Sequence, residues 1–203
     1  MKRARLLVLG VLATLVFSSV AQAQSSNQSQ SSTVPVFTIT PVQSRVTFYV
    51  KASVKLQGTF EKWDATLVYT STDASTGVLD IKIQADSVNS GSKSKDEKLK
   101  GEHCFDVAKH PYITFHSTKI TQTGPNTFDV AGIFTLRGIS KPEGLTFTVD
   151  REAGGGEIKG VLTIDRRDFG LGGGIHFVKI AHRVDVTIDF KVTRVGPPLV
   201  LKQ

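Results

Sequence analysis

The chain has 203 residues, with 25 Lys+Arg against 18 Asp+Glu, 12 Phe, one Trp and one Cys. Its net charge of +7 is spread along the chain, without the basic stripe and interleaved aromatics that nucleic-acid binding needs, so no nucleic-acid partner is expected. The single cysteine, Cys104, excludes an intramolecular disulfide, so packing must hold the fold together.

Lys2, Arg3 and Arg5 precede an apolar run from Leu6 to Val20 and then Ala21-Gln22-Ala23, the three-part pattern of a cleavable, bacterial-type export signal. The apolar run is short of the roughly 18 residues a membrane span needs. Gln24, not a cysteine, follows the cleavage site, which argues against a lipid anchor. Residues 1–23 are therefore read as a signal peptide, cut near Ala23-Gln24. The mature protein is expected to be periplasmic or secreted, with no stable membrane insertion. Cleavage leaves 22 Lys+Arg against 18 Asp+Glu, a balance of +4. Residues 24–34 are polar with nothing to bury, and are expected to be a disordered leader. The folded domain is placed at 35–193. Residues 194–203, with Val195-Gly196-Pro197-Pro198, are expected to be a C-terminal tail.

From Arg45 to Glu61 the chain alternates with period two. Val46, Phe48, Val50, Ala52, Val54, Leu56, Gly58 and Phe60 form the dry face. The run is too long for one ordinary strand and is expected to bend near Ala52 or break at Gly58. Shorter alternating runs follow at 65–70, 79–84, 113–117, 128–136, 145–149, 158–164 and 184–192. Turn signals separate them, among them Thr123-Gly124-Pro125-Asn126 and Arg137-Gly138. Ser94 and Glu97 match a capping box, with Gly101 as a stop, so one short helix is expected over 95–100, outside the sheet.

The pattern is all-β, with eight or nine strands. Eight sequential antiparallel strands, each dry on one side, suggest a closed barrel, which removes exposed edges. Such a barrel has room for packed side chains or one small ligand. A sandwich of the same strands is left open.

Several ordered motifs carry a resemblance. Lys95-Asp96 and Leu99 are followed by Phe105-Asp106-Val107, Pro111 and Ile113-Thr114-Phe115-His116-Ser117. Then come Phe134 through Pro142, with its Gly138-Ile139-Ser140-Lys141-Pro142 turn, and Asp165-Arg166-Arg167-Asp168-Phe169-Gly170. This set resembles the YceI-like family of bacterial polyisoprenoid-binding proteins and spans nearly the whole domain. The resemblance implies an eight-stranded, antiparallel, lipocalin-like barrel, often periplasmic, that holds a long isoprenoid chain. It implies no catalytic chemistry. The chain departs from the family pattern at Lys95, at His103-Cys104, at Asp165 and in a short glycine stretch, Gly170 to Gly174. These positions bear on the shape of the cavity mouth.

The expected function is binding of an isoprenoid lipid, polyprenyl or quinone-type, or another long-chain amphiphile, for storage, transport or stress response. The expected lining is Phe48, Val50, Val54, Phe60, Leu67, Ile81, Phe115, Phe134, Phe147 and Phe169. No catalytic residue, metal or cofactor is assigned, and a homodimer is left open. One alternative is a hydrolase-like enzyme acting on a small amphiphile through Cys104 and His103. No oriented base or oxyanion site accompanies that pair in the sequence. The other alternative is a solid-core structural or interaction domain. His103, Cys104, His110 and His116 fit no zinc spacing. Asp168-Phe169-Gly170 lacks every other kinase motif, and reads as a strand end with Phe169 turned inward. Asp106 reads as a cap for the turn at Val107–Lys109.

N-terminal sequencing of exported protein is expected to begin at Gln24. An intact Met1 in the membrane fraction contradicts the signal-peptide reading.

Overall fold

A computed structural model describes residues 37–39, 43–52, 56–152, 155–172 and 180–194. The expected signal peptide, leader and most of the tail lie outside the described residues. The strands are β1 (Phe37–Ile39), β2 (Arg45–Ala52), β3 (Leu56–Phe60), β4 (Trp63–Val68), β5 (Val78–Gln84) and β6 (Val88–Asn89). After helix α1 (Lys93–Lys100) come β7 (Tyr112–Gln122), β8 (Thr127–Leu136), β9 (Ile139–Glu152), β10 (Gly155–Asp165) and β11 (Ile180–Arg194). All pairings are antiparallel, in the order β4-β5-β7-β8-β9-β10-β11-β2-β3-β6, with β1 added on β11.

The ends of that order meet. Only Glu61-Lys62 separates β3 from β4, and a single 3-10 turn (Ala85–Ser87) separates β5 from β6. β3 pairs with β6 and β4 with β5, so these four segments are two long strands sharing one kink. The sheet thus curls back on itself around eight strand positions. Eleven segments appear where eight were expected because two strands are broken at this kink and β1 is extra. Buried Ser87 clips the kink. Its Oγ accepts from Lys62 N at 3.0 Å and donates to Gln84 O at 2.7 Å, while Glu61 N donates to Ser87 O at 3.1 Å.

The alternating run at 45–61 is a hairpin and not one bent strand. Val46 faces Phe60, Phe48 faces Gly58 and Val50 faces Leu56, so β2 and β3 run antiparallel side by side. The reversal keeps even residues opposite even residues, so the period-two pattern passes through it unbroken. In β7 the opposite happens. A bulge between Ser117 and Lys119 switches the inward set from Ile113, Phe115 and Ser117 to Ile120. Buried Ser117 Oγ accepts from Leu79 N at 2.8 Å, an amide just past the last β5–β7 pair, Asp80 with His116.

Helix α1 starts two residues earlier than expected, and the capping box does not form. Ser92 is the N-cap residue, without a side-chain cap bond, and Ser94 and Glu97 are exposed. Asp96 reaches back instead, accepting from Ser90 N at 2.8 Å and Ser90 Oγ at 2.6 Å. These bonds hold its carboxyl below the usual carboxylate range. Asp106 does not cap through its side chain either. Its carbonyl accepts from Lys109 N and His110 N, and its carboxylate pairs with Lys109 at 3.4 Å.

Gly58 matters for space. A Cβ there would stand 2.8 Å from the Phe48 ring and 2.9 Å from Asn89 O. Gly58→Ala is expected to destabilise the protein by about 1–3 kcal/mol in denaturant unfolding, as overpacked cores do. Gly144→Ala, whose Cβ would meet nothing nearer than 3.8 Å, is the control and should stay within about 1 kcal/mol of the parent. Equal effects at the two sites contradict the packing account.

Candidate ligand cavity

The barrel interior divides into a filled end and an open end. At the filled end Leu67, Leu79, Leu145, Phe147, Ile158, Ile188 and Phe190 close around a void of only about 10 Å³. Aromatic stacking completes this plug: Trp63 on Phe190 at 4.8 Å between centroids, and Phe128 on Phe147 at 5.2 Å. At the open end lies a cavity of about 290 Å³. The β2–β3 hairpin gives it Phe48, Val50, Ala52, Leu56 and Phe60. Neighbouring strands add Ile83, Ile113, Phe134, Leu136, Ile164, Ile180, Val184 and Val186. Small side chains, Val50, Ala52, Val184 and Val186, stand here beside Phe48, Phe60, Phe105 and Phe134, and a space remains between them.

Helix α1 and the loop after it cover this end. Lys95, Lys98 and Leu99, spaced i, i+3 and i+4, share one helix face and line the cavity. Leu99 is buried, while the two lysines are exposed at the rim. Phe105 N donates to Leu99 O at 2.9 Å, which folds the loop back over the helix end. Phe105 then packs against Phe60 at 5.8 Å and edge-on against Phe48 at 6.4 Å.

Two arginines tie the mouth together through neutral acceptors. Arg137 sits in the two-residue turn between β8 and β9 at φ 54°, followed by Gly138 at φ 73°. Its guanidinium donates to Gly170 O and, at 3.0 Å, to Glu102 O. Arg166 lines the cavity and donates to Leu171 O at 2.6 Å, Ala181 O at 3.0 Å and Ile180 O at 3.4 Å. Gly172 N donates to His103 O at 3.0 Å, joining the α1 loop to the same rim.

Cys104 also lines the cavity. Burial pushes its thiol up to about 11, against a weaker opposing pull from Arg137, a backbone hydrogen bond and Arg166. It is therefore a protonated thiol at neutral pH and a poor nucleophile. His103 is exposed and forms no hydrogen bond with Cys104. His116 points outward, as its alternation with Phe115 implies, and meets Asp80 at 2.6 Å. Among the described residues no group of three or more His, Cys, Asp or Glu could hold a metal. No helix among them is long and apolar enough to cross a membrane.

The residues expected to line one continuous cavity are shared between several environments. Phe48, Val50, Phe60 and Phe134 line the open cavity. Leu67 and Phe147 line the void in the plug. Ile81 and Phe115 are buried in the core and line neither space. Phe169 is fully buried edge-on against Phe134 at 5.4 Å, ahead of Gly170 at φ 63°. Val54 lies outside the described residues. Alternation did not point to Leu99, Cys104, Phe105, Lys95, Lys98 or Arg166 as lining. They sit on a helix, a loop and a 3-10 turn, where a period of two carries no signal.

A curled antiparallel sheet around an apolar chamber defines the class of lipocalin-like β-barrels. Within that class, the YceI-like domain pattern matches residues 37–192. The chain belongs to the YceI-like family. A UPF0312 protein of Pseudomonas savastanoi is 30% identical over 124 residues, covering 58% of this chain and 65% of the relative. One from Azotobacter vinelandii is 32% identical over 87 residues, 43% of this chain and 45% of the relative. The chain thus matches less than two thirds of these relatives' lengths. Among solved structures, Burkholderia cenocepacia BcnA aligns with a TM-score of 0.71 at 26% identity, over 77% of this chain and 99% of that one. A polyisoprenoid-binding domain from Saccharophagus degradans, implicated in plant cell wall breakdown, aligns with a TM-score of 0.59 at 15% identity. It covers 80% of this chain and 99% of that one, and at this identity shares the fold alone.

Alkylation of Cys104 by iodoacetamide at neutral pH is expected to be on the order of 100-fold slower than that of free cysteine, and to accelerate towards pH 11. A rate equal to free cysteine contradicts the buried, protonated thiol.

Proposed function

We propose that this protein binds, without catalysis, one apolar chain of an isoprenoid lipid or similar long-chain amphiphile, exported by its N-terminal signal to the periplasm or the medium. The observation that carries the reading is a cavity of about 290 Å³ whose walls are aliphatic and aromatic and whose only charged side chains among the described residues stand at its rim. Each methylene buried there contributes about 0.8 kcal/mol before ordering costs. A chain therefore binds well with little demand on its head. The ligand class of the Saccharophagus degradans neighbour supports an isoprenoid as the chain.

The size of the chamber sets a limit. It stands at the lower edge of the range for small-molecule pockets, and the aromatic plug closes its inner end. A long isoprenoid must therefore fold or leave part of its length outside. The enzyme reading through Cys104 and His103 gains nothing from a protonated thiol without a bonded base. The solid-core reading conflicts with the chamber itself.

The test is a titration with prenyl alcohols lengthened one isoprene unit at a time. Affinity is expected to rise with each unit and level off once the chain reaches the plug. Val50→Phe, which fills the chamber from its wall, should lower affinity at least about tenfold while stability moves by less than about 1.5 kcal/mol. Unchanged affinity in a folded Val50→Phe protein, or no binding by any alcohol, overturns the proposal.

A further inference from the structure

The cavity rim is one-sided in charge. Lys95, Lys98 and Arg166 line the chamber, and among the described residues no Asp or Glu does. Apolar walls alone give no reason for three cations to converge on one opening. Lysine stems covering an apolar rim explain the methylenes but not why no acid among the described residues joins them in the lining.

Four of the acids nearest in sequence are engaged elsewhere, while Glu97 and Asp168 are exposed and line no part of the chamber. Asp96, one residue from Lys95, accepts from Ser90 N and Ser90 Oγ. Glu102 and Asp106 both pair with Lys109, at 3.5 and 3.4 Å. Asp165, beside Arg166, is taken by the Arg167 guanidinium and the Arg167 backbone amide. Arg166 spends its donors on Leu171 O, Ala181 O and Ile180 O, which are neutral, so its charge is positioned but not cancelled. Among the described residues neither Arg166 nor Lys98 forms an ion pair. The α1 spacing then sets Lys95 and Lys98 on the helix face that looks into the same opening, with Leu99 beneath them.

We propose that the chamber selects amphiphiles with an anionic head, a carboxylate or a phosphate, over neutral amphiphiles with the same chain. The head sits at the rim among Lys95, Lys98 and Arg166, and the chain enters between Phe48, Phe105 and Phe134. This rests on the apolar-chain reading above and adds the chemistry of the head to it. Because both lysines are exposed, the selection is electrostatic and weakens as salt screens it.

The experiment measures affinity for two matched pairs, farnesyl phosphate against farnesol and palmitate against hexadecanol, at low and high salt. Inorganic phosphate serves as a competitor. The wild-type protein is expected to bind each anion at least about tenfold more tightly than its alcohol at low salt, with a smaller ratio at high salt. In the Lys95→Gln/Lys98→Gln double variant, checked for folding by thermal melting, the ratio should fall to about threefold or less. Affinity for the alcohols should hold. Inorganic phosphate should compete only weakly, because it has no chain. Equal affinity for anion and alcohol in the wild type overturns the selection while leaving the apolar-chain reading intact. A ratio unmoved in the folded double variant overturns the role of the rim lysines. Displacement of the amphiphile by inorganic phosphate at matched concentration turns the rim into a free-anion site and overturns the proposal. Failure of all four ligands to bind overturns the underlying reading itself.

Discussion

The curled sheet encloses a fixed space, and its inward side chains either fill that space or leave it to something else. At one end Trp63, Phe128, Phe147 and Phe190 stack in pairs and leave a void of about 10 Å³. At the other, Val50, Ala52, Val184 and Val186 form a wall of small side chains on the adjacent strands β2 and β11, and about 290 Å³ remains. Protein interiors otherwise pack to crystal-like density, and a dry void forfeits the contacts of its lining. The filled end therefore supplies rigidity, and the open end supplies a place where an incoming chain gains what the protein's own side chains lack.

An open end needs walls that hold without a packed centre, and polar clips around the mouth provide them. Arg137 gathers two backbone carbonyls, Glu102 and Gly170, and Arg166 three, Leu171, Ile180 and Ala181. Hydrogen bonds from a charged donor contribute about 1.5–3 kcal/mol each, more than neutral ones. These bonds order the rim directly, and among the described residues neither guanidinium forms an ion pair. Structure at the mouth and electrostatics at the mouth thus have the same source. Ser87 plays a comparable part at the kink, and Ser117 at the bulge, each a buried hydroxyl satisfying an amide that the sheet ladder leaves over.

Strand content and the inward face were legible from alternation, because burial on one side imposes a period of two. Alternation was blind wherever geometry keeps or flips parity locally. The β2–β3 reversal preserved parity and looked like one long strand, and the β7 bulge shifted it within a strand. The helix was legible as a break in the pattern, but its start was not. Ser94 and Glu97 had the right spacing for a capping box, while the bonds that form run from Asp96 to Ser90, a choice made by the loop before the helix. Phe169 turned inward before a left-handed Gly170, and His116 turned outward, both as the pattern implied. Of the nine expected lining residues that the structure describes, four line the open cavity and two the void in the plug. Side-chain direction alone cannot separate the plug from the chamber, since that depends on which large residues meet across the barrel. Leu99, Phe105 and Arg166 were hidden because they reach the chamber from outside the sheet.

The central claim is that the open end holds one apolar chain. Native mass spectrometry of the protein purified without detergent from its producing cells, followed by solvent extraction of the same sample, tests it most directly. The account predicts a species heavier than the mature polypeptide by the mass of one lipid, and that lipid in the extract. A bare polypeptide mass that stays bare after incubation with prenyl lipids would contradict it.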